Sequence, residues 1–405
     1  MKGIKEEKGV PLLHQVFLCL IGIILGVLVG GIDTVFGRTL LFLSSLRSSN
    51  PFYWIPFLGF AGLLITFLYR RFGGVASKGM GLVFEVSQDH SEKIPLRLVP
   101  LVIVTTWMTH LFGGSAGREG VAVQIGATFG NLFGRYTHFA KYRKLILVMG
   151  MAAGFAGLFQ TPIAAVLFAL EVLVLEQLYL SALVPSLVAA FVAAITSHWL
   201  GLEKFSVPLT VQLTLNWKLL VQLVLLGLIF GLVGNLFAFS LSLTKKKFSE
   251  WLPNPYYRIV LGGIVLSFIF LVLWQGRYSG LGTNLIEASF GGKEVLSFDW
   301  FFKLVLTVLT LSLGFQGGEV TPLFAIGASL GVVLAPVVGL PSDLVSGIGY
   351  IAVFSSATNT LLAPIFIGGE VFGFGNVAYF FVAVAVAYSV NRRHSIYGLQ
   401  VIGEK

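Results

Sequence analysis

Charge is scarce in this chain. Only 11% of its 405 residues are Asp, Glu, Lys or Arg, and 56% are hydrophobic. A soluble domain carries about 25% charged residues, so an ordinary soluble globule is excluded. Cysteine is nearly absent: Cys19 stands alone, which excludes an intrachain disulfide and leaves the redox compartment open. The six histidines show no metal-ligand spacing. His14, His138, His198 and His394 fall near expected helix ends or loops. Neither a metal nor a cofactor is expected.

Apolar runs fill the space that charge leaves. They recur at Val16 to Val29, Phe52 to Tyr69, Leu98 to Phe112, Leu145 to Leu158, Leu219 to Phe239, Ile259 to Leu273, Phe301 to Leu313 and Ala378 to Val390. Several are nearer 15 residues than the ~20 of a simple membrane span. Short, glycine-interrupted segments predict broken or re-entrant helices, as transporters use. The 48 Gly and 36 Phe suit close helix packing and lipid-facing bulk. The reading is an all-α integral membrane protein with the lipid bilayer as its solvent.

The net charge of +9 does not point to nucleic acid. Its carriers cluster in short loops, at Arg70-Arg71, Arg135 to Lys144 and Lys245-Lys246-Lys247, while the segments near Arg47, Lys204 and Arg277 are poorer in charge. That asymmetry follows the positive-inside rule and predicts a cytoplasmic N-terminus. Lys2, Lys5 and Lys8 precede the first apolar run as in a signal peptide. The run is too long for one and lacks a small-residue cleavage site, so it reads as the first transmembrane helix.

The chain repeats itself at about half its length. Gly150 to Thr161 resembles Gly349 to Thr360, and the match runs on to Glu171-Val172 against Glu370-Val371. Ile125 to Gly130 matches Ile326 to Gly331, Gly79-Met80-Gly81 matches Gly280-Leu281-Gly282, and Gly22 and Gly26 match Gly227 and Gly231. The first half starts at the cytoplasmic face. The first helix of the second half ends at Lys245-Lys246-Lys247, also cytoplasmic, so it begins outside. The halves are therefore expected to be antiparallel, with residues 1–10 a cytoplasmic N-terminus, 11–204 and 205–391 the two half-repeats, and 392–405 a C-terminal helix. Inverted repeats place their ion site at the midplane, where broken helices meet. The glycine clusters at Gly79 to Gly81, Gly113 to Gly120 and Gly314 to Gly318 are the candidate breaks; each alone also fits close packing.

Glu119 stands at one of these breaks, in Gly117-Arg118-Glu119-Gly120. Helix N-termini attract anions through unpaired N–H groups and the helix dipole. A carboxylate at membrane depth is costly and points to function. Glu119 thus reads as a tethered anion where a free anion can bind. A buried ion pair with Arg118 that only holds the turn is the plainer alternative.

Taken in order, these segments resemble those of the CLC chloride channels and proton-coupled anion exchangers. Gly117 to Gly120 is similar to that family's G-R-E-G-P stretch, with Val121 in place of the proline. Gly79 to Phe84 stands where the family has G-S-G-I-P-E, and Gly318-Glu319-Val320-Thr321-Pro322 where it has G-I-F-A-P. Gly282 to Ile286 and Ala152 to Glu171 resemble further family segments, and Tyr397 falls at the family's central tyrosine. The resemblance covers essentially the whole membrane region. It implies a CLC-type inverted repeat with helices meeting at the midplane, and a homodimer with one pore per subunit. The helices Thr161 to Glu171 and Thr360 to Glu370, with those that follow, would form its interface; their apolar residues fit lipid contact equally well.

The departures from the family pattern point to one branch. Met80 stands where most members have an anion-binding serine, and Glu319, Val320 and Thr321 replace the hydrophobic-Phe-Ala stretch. Leu170-Glu171-Val172 lacks the second, proton-relay glutamate of chloride exchangers. These features resemble fluoride/proton antiporters of bacterial plasma membranes, which export fluoride. The resemblance implies fluoride and the proton as partners. Glu119 would be gate and proton carrier, Glu319 a second proton-handling group or else a solvated vestibule charge. Met80, Gly81, Phe84, Gly120, Val320, Thr321 and Tyr397 would surround the anion. Tyr397 and Thr321 can donate hydrogen bonds, Phe84 can turn a positive ring edge, and Met80 shapes or seals the site. Glu171 and Glu370 occupy matched positions and read as structural groups at helix ends.

Rival readings remain open from the residues alone. A chloride/proton exchanger or a passive anion channel of the same fold is the nearer one. The distant one is an intramembrane serine hydrolase, because Gly113-Gly114-Ser115-Ala116-Gly117 matches G-x-S-x-G. That motif needs a strand and sheet around Ser115, where membrane helices are expected, and His110 would need an orienting partner.

Overall fold

Seventeen α-helices carry the apolar runs in a computed structural model that describes residues 10–91, 93–136, 140–175, 177–211, 213–214, 216–391 and 393–402. Lys2, Lys5, Lys8, His138 and residues 403–405 lie outside the described residues. The first half holds α1 (Leu12–Ser49), α2 (Pro51–Trp54), α3 (Leu58–Leu68), α4 (Met80–Ser87), α5 (Leu98–Leu111), α6 (Glu119–Tyr136), α7 (Arg143–Phe159), α8 (Pro162–Glu171) and α9 (Leu183–Trp199). The second holds α10 (Trp217–Trp251), α11 (Pro255–Val272), α12 (Thr283–Phe290), α13 (Asp299–Leu313), α14 (Val320–Val338), α15 (Ser342–Thr358), α16 (Leu362–Phe372) and α17 (Val377–Val390).

Apart from the single turn α2, the halves match helix for helix, α1 with α10 through to α9 with α17. Among the described residues, six helical segments are long and apolar enough to cross a membrane, while Leu98–Leu111, Pro162–Glu171 and Leu362–Phe372 are apolar but short. At 1.5 Å per residue α1 is about 57 Å long, well over the ~30 Å hydrocarbon core. It therefore tilts or projects.

Matched residues do matched work in the two halves. α6 packs on α7, and α14 on α15. A Cβ on Gly126 would collide with the Gly150 carbonyl, and one on Gly327 with the Gly349 carbonyl. These glycines let the helix backbones touch. α7 ends at Gln160 and α15 at Asn359, both left-handed, with φ of 56° and 53°. α1 packs on α9 and α10 on α17.

Glu171 and Glu370 tie α8 to α16. The Glu171 carboxylate accepts the N–H groups of Leu361, of Leu362 at 3.1 Å and of Ala363 at 3.2 Å, at the start of α16. Glu370 accepts those of Ile163 at 3.3 Å and Ala164 at 2.8 Å, at the start of α8. Each helix thus ends in the carboxylate that caps its partner, and the negative charge lies where the partner's dipole favours it.

The C-terminal segment departs from expectation. The described residues from 393 on form turns, then a two-residue strand β2 (Val401–Ile402) paired in parallel with β1 (Val174–Leu175). The expected helix carrying Tyr397 is absent from them. Asn391 leaves α17 in extended geometry, with φ −125°. Its Oδ1 accepts the His394 N–H at 3.1 Å, and its Nδ2 donates to Ser356 O at 2.7 Å. The Ile396 N–H donates to Ala357 O at 2.9 Å. Side-chain capping and bonds to the end of α15 take the backbone groups that a new helix would need.

Candidate functional site

Three helix breaks meet inside the molecule. The Gly117 N–H donates to Gly318 O at 2.5 Å and the Gly318 N–H to Gly117 O at 2.8 Å. This exchange joins the loop before α6 to the loop before α14. The Gly280 N–H donates to Gly114 O at 3.0 Å and the Ala116 N–H to Gly280 O at 3.2 Å, which adds the loop before α12. A Cβ on Gly117 would lie 3.0 Å from Gly318 O, so a side chain there would push the loops apart. Gly314 and Gly317 turn at φ of +109° and +155°, which favours glycine. The start of α6 is thereby held beside the start of α14.

Glu119 crosses from one half to the other. Its side chain is 1% exposed. Oε2 accepts the Thr321 backbone N–H at 3.2 Å and the Arg118 N–H at 3.2 Å. The Thr321 hydroxyl donates to the carboxylate, at 2.7 Å from Oε1 and 2.6 Å from Oε2. The carboxylate of α6 therefore occupies the N-terminus of α14, where donors and dipole suit an anion. Arg118 grips it weakly, with Nε 3.9 Å from Oε1. That separation is too long for a hydrogen bond but within ion-pair distance, so the buried pair with Arg118 is present beside the closer contacts to Thr321.

A cavity of about 460 Å³ lies beside this point, with Gly120 but not Glu119 in its wall. Met80, Gly81, Phe84, Gly120, Glu319 and Tyr397 line it, and Lys78, Lys245 and Arg258 lie on its wall. Glu319 is half-buried, and a Cβ on Gly120 would stand 3.9 Å from its Oε2. Phe84 packs on Tyr397 with ring centroids 5.6 Å apart, and Phe168 meets the same tyrosine edge-on at 6.2 Å. Six of the expected site residues thus share one cavity. Val320 and Thr321 are not part of its wall: both are buried, and Thr321 instead holds Glu119.

Ser115 is not a nucleophile. It is fully buried among helices, its Oγ 2.7 Å from Thr307 Oγ1 and accepting from Lys303 Nζ at 2.9 Å. His110 Nε2 lies 3.0 Å from Ala116 O rather than on the serine. The hydrolase reading fails on access and on partners. Sequence reasoning missed Lys303, a single charge in the apolar run of α13. Its ammonium also donates to Gly280 O at 2.7 Å and Tyr278 O at 3.2 Å, and so clamps the break before α12.

Comparison with known proteins agrees with this geometry. The family model described as voltage gated chloride channel matches residues 61–392. A "Chloride/fluoride channel protein" of Pseudomonas syringae pv. tomato (strain ATCC BAA-871 / DC3000) is 36% identical, the match covering 96% of this chain and 86% of that protein. A solved "CLC-type fluoride/proton antiporter" is 54% identical, with a TM-score of 0.96 over 97% of this chain and 100% of that one. A "slow cyanobacterial Cl-/H+ antiporter" shares the fold, with a TM-score of 0.76 at 21% identity over 93% of each chain. An all-α inverted repeat whose broken helices meet around Glu119, matched by the family model across most of its length, places this chain in the voltage gated chloride channel (CLC) family.

Proposed function

We propose that this protein is a fluoride/proton antiporter that exports fluoride from the cytoplasm of a bacterium, with Glu119 as both gate and proton carrier. One observation carries the reading: the Glu119 carboxylate sits on the N-terminus of α14, held by Thr321, where N–H donors and the helix dipole suit an anion. Ionised, it competes with fluoride for those donors. An arriving fluoride repels the carboxylate charge and so favours its protonation. Protonated, Glu119 loses its hold and swings aside. Anion entry and proton uptake are coupled by that exchange.

The selectivity rests on Met80, Thr321 and Val172, the residues that resemble the fluoride branch, and on the 54% identical antiporter. Gly81, Phe84, Gly120, Val320 and Tyr397 complete the proposed anion surroundings. The N-terminus and the vestibule face the cytoplasm in this reading, and two subunits form a homodimer with a pore in each. The name of the Pseudomonas relative favours a channel as the second reading. Purified protein in liposomes, with a fluoride electrode and an imposed pH gradient, separates the two. Proton-driven uphill fluoride accumulation is expected, and Glu119→Gln should abolish it. Purely passive flux supports the channel, equal chloride flux removes the selectivity, and uphill transport retained in Glu119→Gln sinks the gate.

A further inference from the structure

The paired helices α3 and α11 carry a cleft that the transport reading does not use. They touch at Gly59 and Gly263, where a Cβ on Gly263 would lie 2.7 Å from the Gly59 Cα. Where α3 ends and α11 begins, a cavity of about 450 Å³ opens, lined in part by Arg70, Pro255 and Arg258. Ligand pockets are of that size. The cavity shares Ser77, Arg258, Gly314 and Gln316 with the vestibule, so the two spaces adjoin along one wall.

The charges lining the cleft are of one sign and lack counter-ions. Among the described residues, neither Arg70 nor Arg258 pairs with a carboxylate. Arg258 Nη1 donates to Ser249 Oγ at 3.0 Å, while its Nε is buried without a partner. Arg70 lies over the Tyr256 ring, its Cζ 5.7 Å from the centroid, which steadies the guanidinium beside the cleft. Pro255 opens α11, so the positive end of that helix's dipole lies at the same place. Guanidinium groups suit phosphate, which can accept two parallel N–H bonds. The surroundings are apolar. Phe60, Leu63 and Phe67 of α3 and Leu261, Ile264 and Phe268 of α11 are exposed, and such a patch marks a contact surface. The proposed homodimer is built on α8, α16 and the helices after them, which leaves this face to lipid. Arg70 and Arg71 follow the apolar run of α3 and mark the cytoplasmic headgroup level. Basic pockets between helices on that side suit anionic headgroups.

We propose that this cleft binds an anionic phospholipid, its phosphate on Arg258 and Arg70 and its acyl chains along the exposed face of α3 and α11. A choline lipid carries the same phosphate but adds an ammonium that the two arginines repel. The seated phosphate offsets the Arg258 charge on the wall shared with the vestibule. Binding does not depend on the antiport reading; the leaflet that supplies the lipid follows from the cytoplasmic assignment of the basic loops.

The test uses the purified full-length chain in neutral detergent and reads its melting temperature, which a bound lipid raises. Phosphatidylglycerol should raise it by about 2–4 °C, and phosphatidylcholine at the same concentration should not. Arg70→Gln combined with Arg258→Gln should cancel the rise. If that pair fails to fold, Arg70→Gln alone, at an exposed side chain, should reduce the rise by half or more. Lys246→Gln, at an exposed lysine outside the cleft, should keep it in full. An equal rise in the arginine variants shows attraction to the protein's overall charge and overturns the site. A rise of the same size with inorganic phosphate makes the cleft a free-anion site and overturns the lipid. Absence of any rise with phosphatidylglycerol overturns both. None of these outcomes bears on proton-driven fluoride flux in liposomes, so the lipid site and the antiport reading fail separately.

Discussion

The two carboxylates at the meeting loops differ in what holds them. Glu119 is bound by Thr321 through backbone and side chain, whereas Glu319 lines the vestibule, half-buried, beside the start of α6. Lys245 is the charged group that acts on Glu319. Such a carboxylate can receive a proton from the vestibule and pass it toward the gate. Glu319→Gln should lower proton-driven fluoride accumulation by about a hundredfold, the lower end for losing a positioned proton-transfer group, while passive fluoride flux stays measurable. Paired pH and fluoride electrodes read both quantities, and unaltered coupling would make Glu319 a solvated charge. Glu119 was legible because a carboxylate between glycines at a helix start is chemically odd in an apolar chain. Lys303 was not, because one charge in an apolar run has no periodicity. Only the fold shows that three oxygens surround Lys303.

At the scale of helices, α8 and α16 form a reciprocal unit. Each ends in a glutamate that accepts N–H groups at the start of the other. Glu171→Gln and Glu370→Gln keep the side-chain length and remove the charge that suits a helix N-terminus. Each should lower stability by about 1 kcal/mol, and the alanine variants by about 1–2 kcal/mol, the range of lost caps. Thermal unfolding in detergent measures this; unchanged melting in both alanine variants would deny the caps. The structural role was readable from the matched Glu171 and Glu370, but the crosswise pairing was not, because a repeat gives equivalence and no contacts. The C-terminal segment was misread for a related reason. Asn391, Ser395 and Gly398 favour turns, and the bonds from Asn391 and Ile396 to α15 complete the break.

Across the whole molecule the inverted repeat makes a claim about sidedness. The matched registers put Lys245-Lys246-Lys247 at the end of α10 and Lys293 just past α12, the counterpart of α4. The vestibule carries Lys78 near the start of α4 and Lys245, so inversion sends the far end of α12 to the opposite membrane face. Lys246 and Lys293 are both exposed. Cys19 is the lone cysteine, so Cys19→Ser provides a blank background. In it, Lys246→Cys should react with an impermeant maleimide only after cells are permeabilised, and Lys293→Cys should react in intact cells. Labelling of both from outside would contradict antiparallel halves. A reversed pattern would keep the fold and turn the vestibule outward. The basic loops would then no longer obey the positive-inside rule, and Glu319 would draw its protons from outside. The side of Glu119 away from the vestibule would then face the cytoplasm, and the proposed export route would have to be redrawn while the chemistry proposed at Glu119 stood unchanged.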